Sequence, residues 1–359
     1  MESITDTIEG ICLFTNAGGA ECGIEETDVT IEASYGTDTM EMRSINESIR
    51  GIAEPYTRSK ILHGNHRTVD YIHANPYYTT NGNRTQLKET IWAIYNINPV
   101  AFTIEISPEI KTEEKIKKPL TEKLAQREYK TQIVTLNAMN YGVPQSRTQL
   151  FIIGIKKSAL DTSNHENTQL YPDSHYGKQP GKTLAGKTIK QWTTAKEALD
   201  DIPLDTTRSQ RPNLLSPRKH PTPEQHNTPH SDTNNQHYYH ILANNIPKKH
   251  NKDKQVEFAN TDHLTDPEQR YPKRLHPDKP APDLSANKTT VPIHYKGKAP
   301  TNNESELPRK ITPRECARLQ TFPDTHVFLG TKTKQYKMVK QSSPPLVQYF
   351  ITNHVTELL

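Results

Sequence analysis

The chain has 359 residues, 45 Lys and Arg against 41 Asp and Glu, and a mean hydropathy of -0.84. This length allows one large or two medium domains, and the net charge of +4 permits a nucleic-acid partner without requiring one. Three widely spaced cysteines argue against a disulfide framework or a zinc site. No leader opens the chain and no run reaches the roughly 18 apolar residues of a membrane span, so we expect a soluble, cytoplasmic protein.

The first predicted unit consists of a strand, a glycine loop and a helix. Residues 11–14 are apolar, residues 15–19 contain Gly18 and Gly19, and residues 20–26 open a helix. This order is typical of a nucleotide-binding α/β fold, in which glycines let the backbone approach a ligand. A plain tight turn is the alternative interpretation.

The next predicted strands end in polar residues. Residues 31–34 form a strand before a helix at 39–49, and residues 69–74 form a strand that stops at Asn75-Pro76-Tyr77-Tyr78. After a helix from 83 to 97, a buried strand at 100–105 ends in Glu105. A carboxyl at a strand end in a crevice is a candidate general acid. An exposed strand-terminal glutamate is the alternative.

A polar loop at residues 136–147 is followed by a buried strand at 150–155. A helix at 120–129 precedes them. The loop holds Gln145 and Arg147 next to the start of this strand. Their side-chain donors could hydrogen-bond a base or a phosphate there.

Residues 157–308 are rich in Asn, Thr, Pro, His and Lys, and contain one clear predicted helix at 194–203. Histidines at irregular spacing and without cysteines do not predict a metal site; they are His220, His226, His230, His237, His240 and His250. Two basic segments with aromatic neighbours favour phosphate contact, with a solvated loop as the alternative; their basic residues include Lys248, Lys249, Arg270, Lys273 and Arg274.

The most specific pattern lies at residues 309–324. Thr312, Pro313 and Glu315 predict a helix with a capping box and proline at its first turn. A last helix is predicted from about residue 345 to 359.

These motifs, in this order, resemble the DNA (cytosine-5)-methyltransferases. Residues 141–147 are similar to the family's Tyr-Gly-Val-Pro-Gln-x-Arg loop, and residues 309–324 are similar to its Arg-x-Leu-Thr-Pro-Arg-Glu-Cys-Ala-Arg-Leu-Gln-x-Phe-Pro-Asp element. The resemblance implies an α/β, Rossmann-like S-adenosylmethionine-dependent methyltransferase sheet with an inserted, loop-rich target-recognition domain. The catalytic domain would comprise 1–156 plus 309–359, and the recognition domain 157–308.

The resemblance also implies S-adenosyl-L-methionine as cofactor. The implied cofactor-binding positions are Phe14, Gly18, Gly19, Ser34, Gln341 and Ser342. Several positions depart from the family, because Ser34 stands where an acid binds the ribose, Asn16 and Lys340 replace glycines, Gln341 replaces an asparagine, and Gln149 replaces an arginine.

The implied catalytic positions are Tyr77, Glu105, Gln145 and Arg147. The family has a cysteine at the position of Tyr77, where its thiolate attacks the cytosine ring, and a phenol is a poor substitute. We therefore expect a homologue that binds double-stranded DNA at the nucleoid with base methylation lost or weakened. It would act beside an active methyltransferase or a restriction partner.

Two alternatives stay open. Residues 75–78 match three of four positions in the Asn-Pro-Pro-Tyr loop of methyltransferases that modify exocyclic amines, in which the aromatic ring stacks on a flipped base. Cytosine-5 transfer could also be retained, with a cysteine from a partner or from another position such as Cys22.

Overall fold

The computed structural model describes most of the chain outside one long central segment. The described residues are 7–49, 52–63, 69–77, 85–108, 122–124, 126–160, 167–183, 186–202, 254, 257–258, 274–285, 291–296 and 308–359. They divide into two compact units, the first comprising residues 1–137, 148–173 and 342–359, and the second comprising 138–147 and 174–341. The domain boundaries at 157 and 309 stay a prediction.

The first unit contains a seven-stranded sheet within the described residues. Its strands are β1 (Ile8–Leu13), β2 (Val29–Gly36), β3 (Ile52–Pro55), β4 (Tyr71–Ala74), β5 (Ala101–Ile106), β6 (Tyr129–Asn137) and β7 (Thr148–Lys156). The spatial order is β3-β2-β1-β4-β5-β7-β6. The first five strands are parallel, and β7 runs antiparallel to both β5 and β6. The predicted open α/β sheet is confirmed.

Helices cover the two faces of this sheet. In chain order they are α1 (Gly19–Ile24), α2 (Thr39–Ser48), α3 (Arg58–His63) and α4 (Thr85–Ile97); the C-terminal helix Pro345–Thr356, here α8, also belongs to this unit. One face packs an apolar cluster that includes Ile72, Phe102 and Ile104 against Leu87 and Ile94 of α4. The parallel order and its connecting helices place the strand ends of β1 and β4 side by side, at the switch point where ligands bind in such sheets.

The opposite face carries a row of buried polar side chains, here called the polar layer. Its strand residues are Cys12, Ser34, Tyr71, His73, Thr103 and Glu105, all less than 4% exposed. Residues of α1 and α8 contact this row, because Glu21 hydrogen-bonds Ser34 and the Tyr71 hydroxyl lies 3.1 Å from Thr352 Oγ1. Buried polar groups of this kind must satisfy one another, which makes the layer sensitive to substitution.

The helix predicted at residues 120–129 is wrong from residue 126 onward. Residues 122–124 are helical, but Tyr129 already begins β6. β6 pairs with β7 from Tyr129 opposite Lys156 to Asn137 opposite Thr148. This pairing overrides the local helical preference of the segment, as tertiary context often does.

The second unit is built from short elements within the described residues. They are β8 (Tyr176–Gly177), β9 (Gly181–Lys182) and β10 (Thr188–Gln191), followed by α5 (Ala195–Leu199), α6 (Pro313–Leu319) and α7 (Lys332–Gln341). α6 has the predicted capping box, with Thr312 and Glu315 each bonded to the other's backbone. The sequence did not predict α7. None of the helices in the described part of the chain has the length and apolar character needed to cross a bilayer.

Candidate functional site

The loop after β1 has the conformation of a glycine-rich turn although it lacks one glycine. Phe14, Asn16 and Gly18 have φ angles of 60°, 62° and 88°. Asparagine tolerates this left-handed region better than most residues, because its short polar side chain can bond locally. Asn16 therefore preserves the turn that glycine provides in the family, and the loop fits the predicted cofactor role.

Two further contacts organise this loop inside the first unit. The Ala17 N–H donates to Ser342 Oγ at 3.0 Å, which joins the loop to the segment before α8. The Phe14 ring lies 4.8 Å from the Tyr56 ring, centroid to centroid. Phe14, Gly18, Gly19 and Ser342 thus lie together, whereas Gln341 is the last residue of α7 in the second unit. Tyr56 was not anticipated from the sequence.

Ser34 is a buried residue that bonds to other interior groups, and its cofactor role stays a prediction. Its hydroxyl hydrogen-bonds the Cys12 thiol and the Glu21 carboxyl, and it is 3% exposed. Glu21 also accepts a hydrogen bond from the Thr15 hydroxyl. Glu21 is 0% exposed, and this burial raises the pKa of its carboxyl above the ordinary value.

The loop after β4 presents Tyr77 to solvent. Tyr77 is 42% exposed, and its backbone N–H donates to Gln86 Oε1 at 2.6 Å. The Asn75 N–H donates to the Leu13 carbonyl at 3.0 Å, which anchors the loop beside the end of β1. Tyr78 lies outside the described residues. The structure therefore places Tyr77 in the loop that follows β4, as predicted, and its assignment to the family's nucleophile position stays a prediction.

Glu105 lies at the other end of the polar layer and is completely buried. Between it and Ser34, the His73 Nδ1 atom lies 2.8 Å from Thr103 Oγ1, and the Tyr71 hydroxyl lies 2.7 Å from the same atom. Burial lowers the pKa of His73 to about 3, so the imidazole is neutral at neutral pH.

The neutral His73 makes stability depend on pH. In the unfolded chain the histidine takes up a proton below its ordinary pKa of 6.5, whereas in the folded chain it does so only near pH 3. We expect the free energy of unfolding to fall by about 1.4 kcal/mol per pH unit below pH 6.5 because of this group. Urea unfolding at pH 7, 6 and 5, followed through Trp92 in a Trp192→Phe background, measures the slope.

His73→Asn should remove this part of the slope, because an amide can still bond Thr103 but does not titrate. His63→Asn is the matched control, since His63 is an exposed residue of α3. An unchanged slope in His73→Asn would contradict the assignment.

Gln145 and Arg147 are held inside the second unit. Gln145 Nε2 donates to the Leu319 carbonyl at 3.4 Å, and Arg147 Nη1 lies 3.1 Å from both Gln320 Oε1 and the Lys340 carbonyl. The two side chains are 0% and 4% exposed. Their catalytic role stays a prediction, but the contacts link the 138–147 loop to α6 and α7.

The predicted DNA-contacting residues mostly fall outside the described residues, namely Lys248, Lys249, Arg270 and Lys273. Arg274 is described and is 4% exposed, with Nη2 donating to the Phe258 carbonyl at 2.5 Å. It is therefore not at the surface, where a phosphate contact requires it. The histidines at 220–250 are also outside the described range, and the described residues contain no group of three or more side chains suited to a metal ion.

Most of the chain matches one known protein family. The model of the C-5 cytosine-specific DNA methylases matches residues 79–357. The chain belongs to this family. Members of the C-5 cytosine methylase family use S-adenosylmethionine as methyl donor, which agrees with the geometry of the loop after β1. The match begins two residues after Tyr77.

Individual relatives of this C-5 methylase chain are distant. Type II methyltransferase M.DdeI of Desulfomicrobium norvegicum is 24% identical over 72% of this chain and 63% of its own length. Type II methyltransferase M.FnuDI of Fusobacterium nucleatum is 27% identical and covers 97% of this chain and 94% of its own. A candidate DNA modification methyltransferase from an E. coli prophage has the same fold, with a TM-score of 0.69 at 21% identity, over 98% of this chain and 99% of that one.

Proposed function

We propose that this C-5 methylase homologue binds double-stranded DNA and has lost, or retains only weakly, the methylation of cytosine. The observation that carries the proposal is Tyr77, exposed at the strand end where the family places its attacking thiol. On this proposal the protein is an accessory subunit at the nucleoid, beside an active methyltransferase or a restriction partner.

The chemistry explains why a thiol matters. Carbon 5 of cytosine becomes nucleophilic only after a nucleophile has added to carbon 6, and thiolates do this far better than phenols. The chain's cysteines lie elsewhere: Cys12 in β1, Cys22 in α1 and Cys316 in α6. Burial raises the pKa of each above its ordinary value, which keeps the unreactive thiol form.

S-adenosylmethionine supplies an activated methyl group when bound, and the loop around Phe14, Gly18 and Gly19, with Ser342, would hold it. Isothermal titration with S-adenosylmethionine tests this part. DNA binding rests on the family and on the basic residues Lys248, Lys249, Arg270 and Lys273, and should weaken steeply with salt.

The decisive assay incubates the protein with tritiated S-adenosylmethionine and mixed DNA, and then digests the DNA to nucleosides. We expect no label on 5-methylcytosine, together with salt-sensitive binding to DNA. Tyr77→Phe is the matched variant, because it removes only the phenol hydroxyl and should change nothing. Robust label on 5-methylcytosine would defeat the proposal, and its loss in Cys22→Ser would identify the thiol responsible.

A second candidate function is methyl transfer to an exocyclic amine. Asn75 favours it, because its buried Nδ2 atom has no hydrogen-bond partner in the described part of the chain. The tyrosine that matches the motif is Tyr78, outside the described residues, and the neighbouring Tyr77 ring is exposed. A flipped base could use such an amide and ring. Label on N4-methylcytosine or N6-methyladenine in the same assay, abolished in Asn75→Ala, would establish this alternative.

A further inference from the structure

Glu105 is bound by two side chains from the C-terminal segment of the first unit. The Ser343 hydroxyl donates to Glu105 Oε2, and Gln348 Nε2 donates to the same oxygen at 2.6 Å. Gln348 Nε2 also lies 2.7 Å from Ser343 Oγ. All three side chains are 0% exposed.

The direction of the Glu105 side chain follows from the alternation of β5. Phe102, Ile104 and Ile106 belong to the apolar cluster on one face of the sheet. Thr103 and Glu105 point to the other face, where Thr103 contacts Tyr71 and Glu105 contacts Gln348 of α8. The carboxyl is therefore an interior member of the polar layer.

Releasing this carboxyl toward a ligand would be costly. Both contacts are charge-assisted when the carboxyl is ionised, and such bonds are among the stronger ones in proteins. Release would also leave the buried Ser343 hydroxyl and Gln348 amide without their acceptor, which carries a further penalty. The arrangement stabilises the inward position.

We infer that Glu105 is a structural carboxyl that ties β5 to α8, and that Ser343 and Gln348 withhold it from any base. They are positioning residues that act on Glu105. This inference rests on the proposed function and deepens it, because the chain then lacks a usable acid as well as a thiol. Restoring the thiol alone would not restore methylation.

The first test compares Glu105→Gln with Glu122→Gln, a change at an exposed carboxyl of the same unit. The full-length variants are unfolded in urea with Trp92 as the probe, in a Trp192→Phe background. We expect Glu105→Gln to raise the unfolding equilibrium constant by about 10- to 150-fold, the range for one hydrogen bond to a charged group. Glu122→Gln should leave it unchanged.

The same variants are then titrated with a duplex that carries a mismatched, easily flipped cytosine. A structural role predicts unchanged affinity for Glu105→Gln at a temperature where it is folded. Lower affinity with unchanged stability would overturn the inference. If Glu105→Gln does not fold, Gln348→Leu provides the second variant, and it should lose stability without losing affinity.

A separate arm introduces Tyr77→Cys and repeats the tritium assay. No label on 5-methylcytosine supports the inference, whereas robust label shows that Glu105 is available and overturns it while the proposed function stands. Robust label from the unmodified protein would instead defeat the proposed function. The urea-unfolding comparison does not depend on either methylation assay. Failure of the inference on Glu105 can therefore be distinguished from failure of the proposed function.

Discussion

Glu315→Ala should destabilise the second unit by about 4 kcal/mol, because it leaves a buried guanidinium without its counter-charge. Arg309 donates to Glu315 through Nη1 at 2.8 Å and Nη2 at 2.6 Å, and the Thr312 N–H donates at 2.7 Å. Glu315 is 0% exposed and Arg309 is 8% exposed. Urea unfolding followed through Trp192, in a Trp92→Phe background, measures the loss.

The pKa values of this cluster assign the charges. Burial alone would raise the pKa of Glu315, but Arg309 and the hydrogen bonds hold it at about 2. Burial lowers the pKa of His294, whose Nε2 lies 3.7 Å from Glu315, to about 4, so Arg309 carries the positive charge at pH 7. Stabilisation by Glu315 is therefore complete above its ordinary pKa of 4.5, and is lost as pH falls from 4.5 through 2.

The chain contains a matched control in α5. Glu197 occupies the same capping-box position relative to Thr194, but it is exposed and its box lacks the buried arginine. Glu197→Ala should cost only about 1 kcal/mol, the usual loss for a helix cap. Equal losses in the two variants would show that the buried ion pair adds nothing beyond capping.

The comparison of α6 with its surroundings shows what the sequence could predict. Thr312, Pro313 and Glu315 lie within four residues, so the capping box was predicted from local spacing alone. His294 contacts the same carboxyl from 21 residues earlier in the chain. No local pattern marks that contact, since it depends on how distant segments pack. α7 was not predicted because its sequence is mostly polar and shows no clear apolar face.

The candidate site shows the same division. Apolar runs and the polar or proline residues that end them predicted the strands and the loops after them. The prediction that Tyr77 and Glu105 lie at strand ends is therefore correct. The direction of Glu105 was not predictable, because its partners Ser343 and Gln348 lie 238 and 243 residues away. Asn16 is the opposite case. This departure from the family's glycine is accommodated by a backbone conformation that asparagine can adopt.

The departures from the family differ in their structural effect. Asn16 keeps its loop, whereas Ser34 faces the interior and Tyr77 is an exposed aromatic residue in the loop after β4. Groups that shape the fold, such as the α6 capping box and Arg147, are hydrogen-bonded to their neighbours. If methylation is lost as proposed, an intact scaffold around changed catalytic positions is the pattern expected of a binding subunit.

Gly23→Ala should destabilise the first unit by about 3 kcal/mol, at the upper end of the cost of overpacking. An added Cβ would lie 2.0 Å from the Pro345 carbonyl oxygen and 2.9 Å from the Tyr349 backbone nitrogen. These atoms belong to the backbone of α8, so no side-chain rotation can relieve the overlap. The gain of about 1 kcal/mol in helix propensity is smaller than this cost. Urea unfolding followed through Trp92, in the Trp192→Phe background, measures the result.

Gly36→Ala is the control for this prediction. It lies in the same unit, and its added Cβ would meet only the flexible Met42 side chain, at 3.4 Å. We expect a change of less than about 1 kcal/mol there. If Gly23→Ala is as stable as Gly36→Ala, then α1 and α8 do not pack at backbone distance. In that case the Ala17–Ser342 bond, which joins the loop after β1 to the start of α8, would lose its structural basis.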